Sequence, residues 1–200
     1  TGLQNTAIGG EAGLSFTTSD GNVAVGYRAL YSEDVGENST AIGHAALFSQ
    51  NSATAATTYN TAVGYQTGYY NVTGTGNTYV GWRAGHGVSG NSQSGNTVVG
   101  ALAFDVVTTG NNNTIYGNQA GDAITTGSKN IMIGQHSDPS AASGNDQIVI
   151  GNDTTGGGNS TVRFGTSAAT CTINLDGSDT SWAAASDQRL KTDIETSPVG

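Results

Sequence analysis

Residues 60 to 68 read NTAVGYQTG, and the first five of them recur through most of the chain. Aligned on the glycine, the copies are NTAIG (5–9), NVAVG (22–26), STAIG (39–43), NTAVG (60–64), NTYVG (77–81), NTVVG (96–100), NTIYG (113–117), NIMIG (130–134) and QIVIG (147–151), with a degenerate TVRFG at 161–165. Successive glycines lie 17, 17, 21, 17, 19, 17, 17, 17 and 14 residues apart. A period near 17 is too short for a two-helix repeat. The pentapeptide is rich in β-branched residues. It is followed by a second short segment (YRAL from Tyr27, YQTG from Tyr65, WRAG from Trp82) and then by turns such as TTG from Thr108. This pattern predicts an all-β chain with two short strands and two turns per rung, stacked as a parallel β-solenoid. The longer spacings before Gly64 and Gly100 read as loops inserted on one side.

Composition agrees with an ordered, polar β chain. Charged residues are 10% of the sequence, Gly is 31 of 200 and Pro only 2. Ile, Val, Tyr and Ala recur at fixed places, which separates it from a disordered low-charge chain. A net charge of -9 with six Lys and Arg excludes a nucleic-acid partner, since phosphates require clustered cations. No apolar run approaches the roughly 20 residues of a membrane helix, so no membrane insertion is expected. Cys171 has no second cysteine to pair with. No metal or other cofactor is expected. His44, His86 and His136 sit in non-adjacent rungs and read as surface residues, and Asp153 beside Asn152 supplies too few carboxylates for calcium. GNNN from Gly110 and TTGGGN from Thr154 are turns, with no following Lys or helix to cradle phosphate.

Strand period two assigns the faces. The residue before each glycine is large and apolar: Ile8, Val25, Ile42, Val63, Val80, Val99, Tyr116, Ile133, Ile150 and Phe164. That row is predicted to fill the interior. The row before it (Ala7, Ala24, Ala41, Ala62, Tyr79, Val98, Ile115, Met132, Val149) is then predicted to face outward, although it too is apolar. A second apolar face needs a cover. The reading is a homo-oligomer whose contact is made by Ala7, Ala24, Ala41, Ala62, Val98, Ile115, Met132 and Val149; a loop folded back over that face is the alternative. Thr6, Thr40, Thr61, Thr78, Thr97 and Thr114 form a further column. Such arrays occur in ice-binding solenoids, but the parity here puts them with the inward row. Tyr27, Tyr65, Tyr69, Tyr70 and Trp82 lie near the corner between segments, where they either pack or offer platforms for sugar rings.

The repeat N-T-A-[IV]-G, followed after a short gap by A-G, resembles the head repeats of trimeric autotransporter adhesins, which also occur in phage tail fibres. The resemblance covers residues 1 to about 165, although the period is longer than is usual in the adhesin heads. It implies a homotrimer of left-handed parallel β-rolls. The segment ASDQRLKTDIE (185–195) resembles the start of the intramolecular chaperone domain of phage tail spikes and fibres, the endosialidase-type self-cleaving family, whose signature S-D-x-R-L-K is matched by Ser186, Asp187, Arg189, Leu190 and Lys191. The stretch INLDGSDTSWAAA from Ile173 resembles the segment leading into that domain.

These resemblances imply a layout of β-roll head or shaft at 1–165, a short β neck at 166–185 and the start of a chaperone domain at 186–200. They imply a structural and adhesive segment of a virion tail fibre. Its partners would be two further copies, other phage tail proteins and a host cell-surface receptor, with glycan among the candidates. A bacterial trimeric surface adhesin is the alternative, and an ice-binding solenoid a third. Slipping near-identical rungs costs little, so a chaperone that trimerises first would set their register. The only enzymatic activity implied is a single-turnover self-cleavage, with Ser186 as nucleophile, Lys191 as general base and Asp187 as part of the motif. Read from the residues alone, Ser186 is instead a helix N-cap, with Asp187 in the first turn and Lys191 exposed.

Overall fold

The computed structural model of the chain describes residues 2–52, 57–175 and 177. Ser186, Asp187 and Lys191, with the later part of the expected neck, lie outside the described residues.

The strands are β1 (Thr6–Ile8), β2 (Val23–Val25), β3 (Thr40–Ile42), β4 (Thr61–Val63), β5 (Thr78–Val80), β6 (Thr97–Val99), β7 (Thr114–Tyr116), β8 (Ile131–Ile133), β9 (Ile148–Asn152), β10 (Thr161–Thr166) and β11 (Ala169–Asn174). They form one sheet in chain order. Strands β1 to β10 pair in parallel, each with the next, so that Ala24 lies beside Ala41 and Ala62 beside Tyr79. The result is a parallel β-solenoid of about nine turns at about 17 residues each. It ends where β11 turns back antiparallel on β10. The described residues contain no helix.

The second segment of each rung is not a strand. YRAL, YQTG and WRAG form turns, because their second residue is left-handed: φ is 57° at Arg28, 52° at Gln66 and 54° at Arg83. The rungs still bond to each other there. Gln66 N–H donates to His44 C=O at 2.9 Å, and Gly68 N–H to Ala84 C=O at 3.0 Å. The repeat glycine is required by the stacking. A Cβ placed on Gly26 would lie 2.6 Å from the carbonyl oxygen of Gly43, and its φ of +126° is itself unfavourable for a side chain.

The two faces of the strands are the reverse of the expectation. Ala24, Ala41, Ala62, Tyr79, Val98, Ile115, Met132 and Val149 are at most 1% exposed and form the core of the single chain. They are therefore not an outward contact surface, and Ala7 escapes burial only as the first strand of the stack. The outward row is the one before the glycine, with Ile8 60%, Ile42 40%, Val63 36%, Tyr116 61% and Ile133 37% exposed. The interior also receives Leu30, Leu47 and Phe104 from the opposite turns. Small Ala fits beside Leu30 and Leu47. Where the strand position becomes Tyr79, the facing turns carry Gly68 and Gly85; a Cβ on Gly68 would lie 2.8 Å from both Leu47 and Tyr79. The ring of Tyr79 thus takes the space that Gly68 and Gly85 leave, which keeps the core volume filled.

A polar column runs beside this core. The Asn that opens each repeat is buried at Asn22, Asn60, Asn77, Asn96, Asn113 and Asn130. The Asn96 side-chain oxygen accepts the Asn113 N–H at 2.9 Å, and its amide donates to Gly110 C=O at 3.0 Å. Asn113 does the same toward Asn130 and Gly127, at 3.0 Å in each case. Ser39 interrupts the column. There Gln50, fully buried, donates to Ser39 Oγ at 3.1 Å and to the carboxylate of Glu33 at 2.9 Å, while its own oxygen accepts from Asn60 at 2.8 Å. Glu33, also fully buried, further accepts the Gly36 N–H at 2.7 Å. Every buried polar group so paired avoids the penalty of an unmade hydrogen bond.

Candidate binding surfaces

Three surfaces stand out. The first is the outward sheet face. Thr6, Thr40, Thr61, Thr78, Thr97 and Thr114 share its parity and also point outward, each two residues before an Ile, Val or Tyr of the outward row. The face therefore presents an alternation of hydroxyl-bearing and apolar side chains on a regular ladder.

The second surface is aromatic. Tyr27, His44 and Tyr65 form one column, with ring centroids 5.3 and 5.0 Å apart. Tyr31, Phe48, Tyr69 and His86 form a second, stacked at 4.9, 4.9 and 5.3 Å. Tyr70 meets Tyr69 edge-on at 4.7 Å. Arg28 joins the two columns, 4.9 Å from the Tyr27 centroid and 5.3 Å from that of Tyr31, and pairs with Glu11 at 2.6 Å. Stacking on neighbouring rungs covers the ring faces. Of the expected group, Tyr69 and Tyr70 pack within these columns, while Tyr27, Tyr65 and Trp82 stay 43%, 44% and 47% exposed.

His86 lies where the second column becomes acidic. Burial, and then the neighbouring Arg83, hold its pKa below the ordinary value, and Asp105 partly offsets this. Burial raises the pKa of Asp105, whose carboxylate meets Arg83 at 3.2 Å. Two rungs further on, burial pushes Asp138 up to about 6, with Asp122 adding to the shift. Among the described residues, no three His, Cys, Asp or Glu side chains converge as metal ligands. No helix there is long and apolar enough to cross a membrane.

The third surface is a cavity of about 300 Å³ at the C-terminal end of the solenoid, lined by Arg163, Asp153, Thr155, Thr166, Ser167 and Thr170 among others. Arg163 sits in β10 beside the buried Val149, at the point where the apolar core column turns charged. Its Nε donates to Thr172 Oγ1 and its Nη1 to Thr155 C=O, both at 2.8 Å. It pairs with no carboxylate among the described residues. In the sequence Asp153 stands only as an isolated carboxylate, too little for calcium. The hydroxyl-bearing residues that join it come from the loop after β9 (Thr155) and from the β10–β11 hairpin (Thr166, Ser167 and Thr170), which the repeat pattern does not announce.

These features define the class of the chain as a parallel β-solenoid with an apolar outer sheet face. Compared with known protein families, curated proteins and solved structures, the chain matches none of them.

Proposed function

We propose that the chain is a structural and adhesive segment of a homotrimeric fibre of the phage tail-fibre kind, with its three copies meeting along the outward sheet face. The observation that carries this reading is the strip of Ile8, Ile42, Val63, Tyr116 and Ile133, exposed on a single chain. A continuous apolar strip of this kind marks an interaction surface, and closed symmetry lets identical copies cover it mutually. The contact surface is thus the row before the glycine. The resemblance of the repeats and of residues 185–195 supplies the virion setting, a host receptor as partner, and the self-cleavage role of Ser186 and Lys191. Native mass spectrometry tests the assembly: three copies are expected, and a folded single chain overturns the reading. Ser186→Ala in the complete protein is expected to leave it uncut; processing like the parent removes the cleavage assignment.

One observation favours a second reading. The Thr column at Thr6, Thr40, Thr61, Thr78, Thr97 and Thr114 faces outward rather than inward, as an ice-binding face requires. Thermal hysteresis by a single-chain protein would replace the fibre reading with this one.

A further inference from the structure

We propose that the cavity around Arg163 binds a single carboxylate-bearing sugar unit of the hexuronate class. This deepens the adhesive part of the function above and rests on it for its biological use, while the binding itself is measurable whether or not three chains assemble. The chain carries -9 net charge with only six Lys and Arg. Arg28 and Arg83 each pair with a carboxylate. Arg163 instead is held by two neutral acceptors, Thr172 Oγ1 and Thr155 C=O. Those bonds fix the guanidinium plane and use two of its five N–H groups, leaving Nη2 and one Nη1 proton for a ligand. A guanidinium with a fixed plane is matched to a carboxylate, which accepts two parallel bonds from it.

The rest of the lining selects within the anions. Thr155, Thr166, Ser167 and Thr170 line the cavity, and each carries a hydroxyl able to donate to or accept from a sugar hydroxyl. Asp153 lies on the same wall, with one carboxylate oxygen accepting from Asn152 at 2.7 Å. Asp153 suits a ligand that brings hydroxyl donors beside its carboxylate, and its repulsion is smaller for one negative charge than for the two of a phosphate dianion. The volume of about 300 Å³ lies at the small end of ligand cavities, which accommodates one ring rather than an oligomer.

The test is a ligand-observed NMR titration of the complete protein with glucuronate, with glucose and acetate as comparisons. Saturable binding of glucuronate is expected, with glucose and acetate each at least about tenfold weaker, because each lacks one half of the recognition. Arg163→Gln is expected to weaken glucuronate about tenfold or more and to bring it level with glucose. Ser167→Ala, in the turn and away from the bonds that hold Arg163, is expected to weaken it severalfold without loss of fold, so that a folding failure of the Arg163 variant does not obscure the result. Absence of saturable glucuronate binding overturns the proposal. So does acetate binding as well as glucuronate, or glucuronate binding unchanged by both substitutions. Failure here with an intact trimer removes the sugar site alone; a single-chain protein that still binds glucuronate removes the fibre alone.

Discussion

The ring of Tyr79 occupies the space that a side chain at Gly85 would need. A Cβ built on Gly85 lies 2.3 Å from Tyr79 Cδ1 and Cε1, and Gly85 has a φ of +59°. Gly76 has a comparable φ of +67° but meets nothing within 4 Å. The two glycines separate backbone strain from packing. Gly76→Ala is expected to cost about 1 kcal/mol, the ordinary left-handed penalty. Gly85→Ala adds overpacking and is expected to cost about 3 kcal/mol. Denaturant unfolding of both variants checks this; equal losses would show that the Tyr79 contact contributes nothing.

The asparagine column makes a second prediction. Asn96→Ala removes the acceptor of the buried Asn113 N–H and the donor to Gly110 C=O. Leaving those groups unpaired is expected to cost about 3 kcal/mol. Asn145 makes a similar bond, accepting the Ser128 N–H at 2.7 Å, but where water can replace it. Asn145→Ala is expected to cost about 1 kcal/mol. Thermal unfolding of the pair, measured together, checks the ratio.

Stability should also carry a pH signature from Asp138. Its folded pKa, about 6, lies above the ordinary carboxylate value of 3.8. Between those values the folded chain holds the proton more tightly than the unfolded chain does. Asp138 therefore favours folding at the acidic end of that window, and the advantage is lost as pH rises through 6. Asp105, also raised by burial, acts in the same direction, while the lowered pKa of His86 acts in the opposite one. Comparing the parent with Asp138→Asn at pH 4, 5, 6 and 7 isolates this group. The variant is expected to lose the Asp138 slope, so its stability relative to the parent rises toward pH 7. A constant difference across the series would contradict the shift.

The outward face can be tested without disturbing the core. Ile42 and Val63 are neighbours in register and both exposed. Ile42→Asp with Val63→Asp is expected to split the proposed trimer into folded single chains, since two carboxylates per copy would be buried without partners. Ala41→Asp, one residue away but fully enclosed, is expected to abolish folding instead. Sedimentation with circular dichroism distinguishes the two outcomes. An unchanged mass for the double variant would place the contact elsewhere.

The period, the parallel stacking and the glycine at each rung were legible in the sequence alone. They depend on local chemistry that repeats: a short β-branched run, and a glycine where no Cβ fits between Gly26 and Gly43. The Gly68 and Gly85 that accommodate Tyr79 were present in the letters too, but they acquire meaning only once the turns are known to face the strands. Which strand face points inward was decided by the tertiary structure. Both rows are apolar, so period two separates them without orienting them. Over the first rungs Leu30 and Leu47 enter from the turn side and share the interior with Ala24 and Ala41, and further along Gly68 and Gly85 leave room for Tyr79. The bonds that hold Arg163 likewise exist only in the fold, because Thr155 and Thr172 reach it from different turns of the chain.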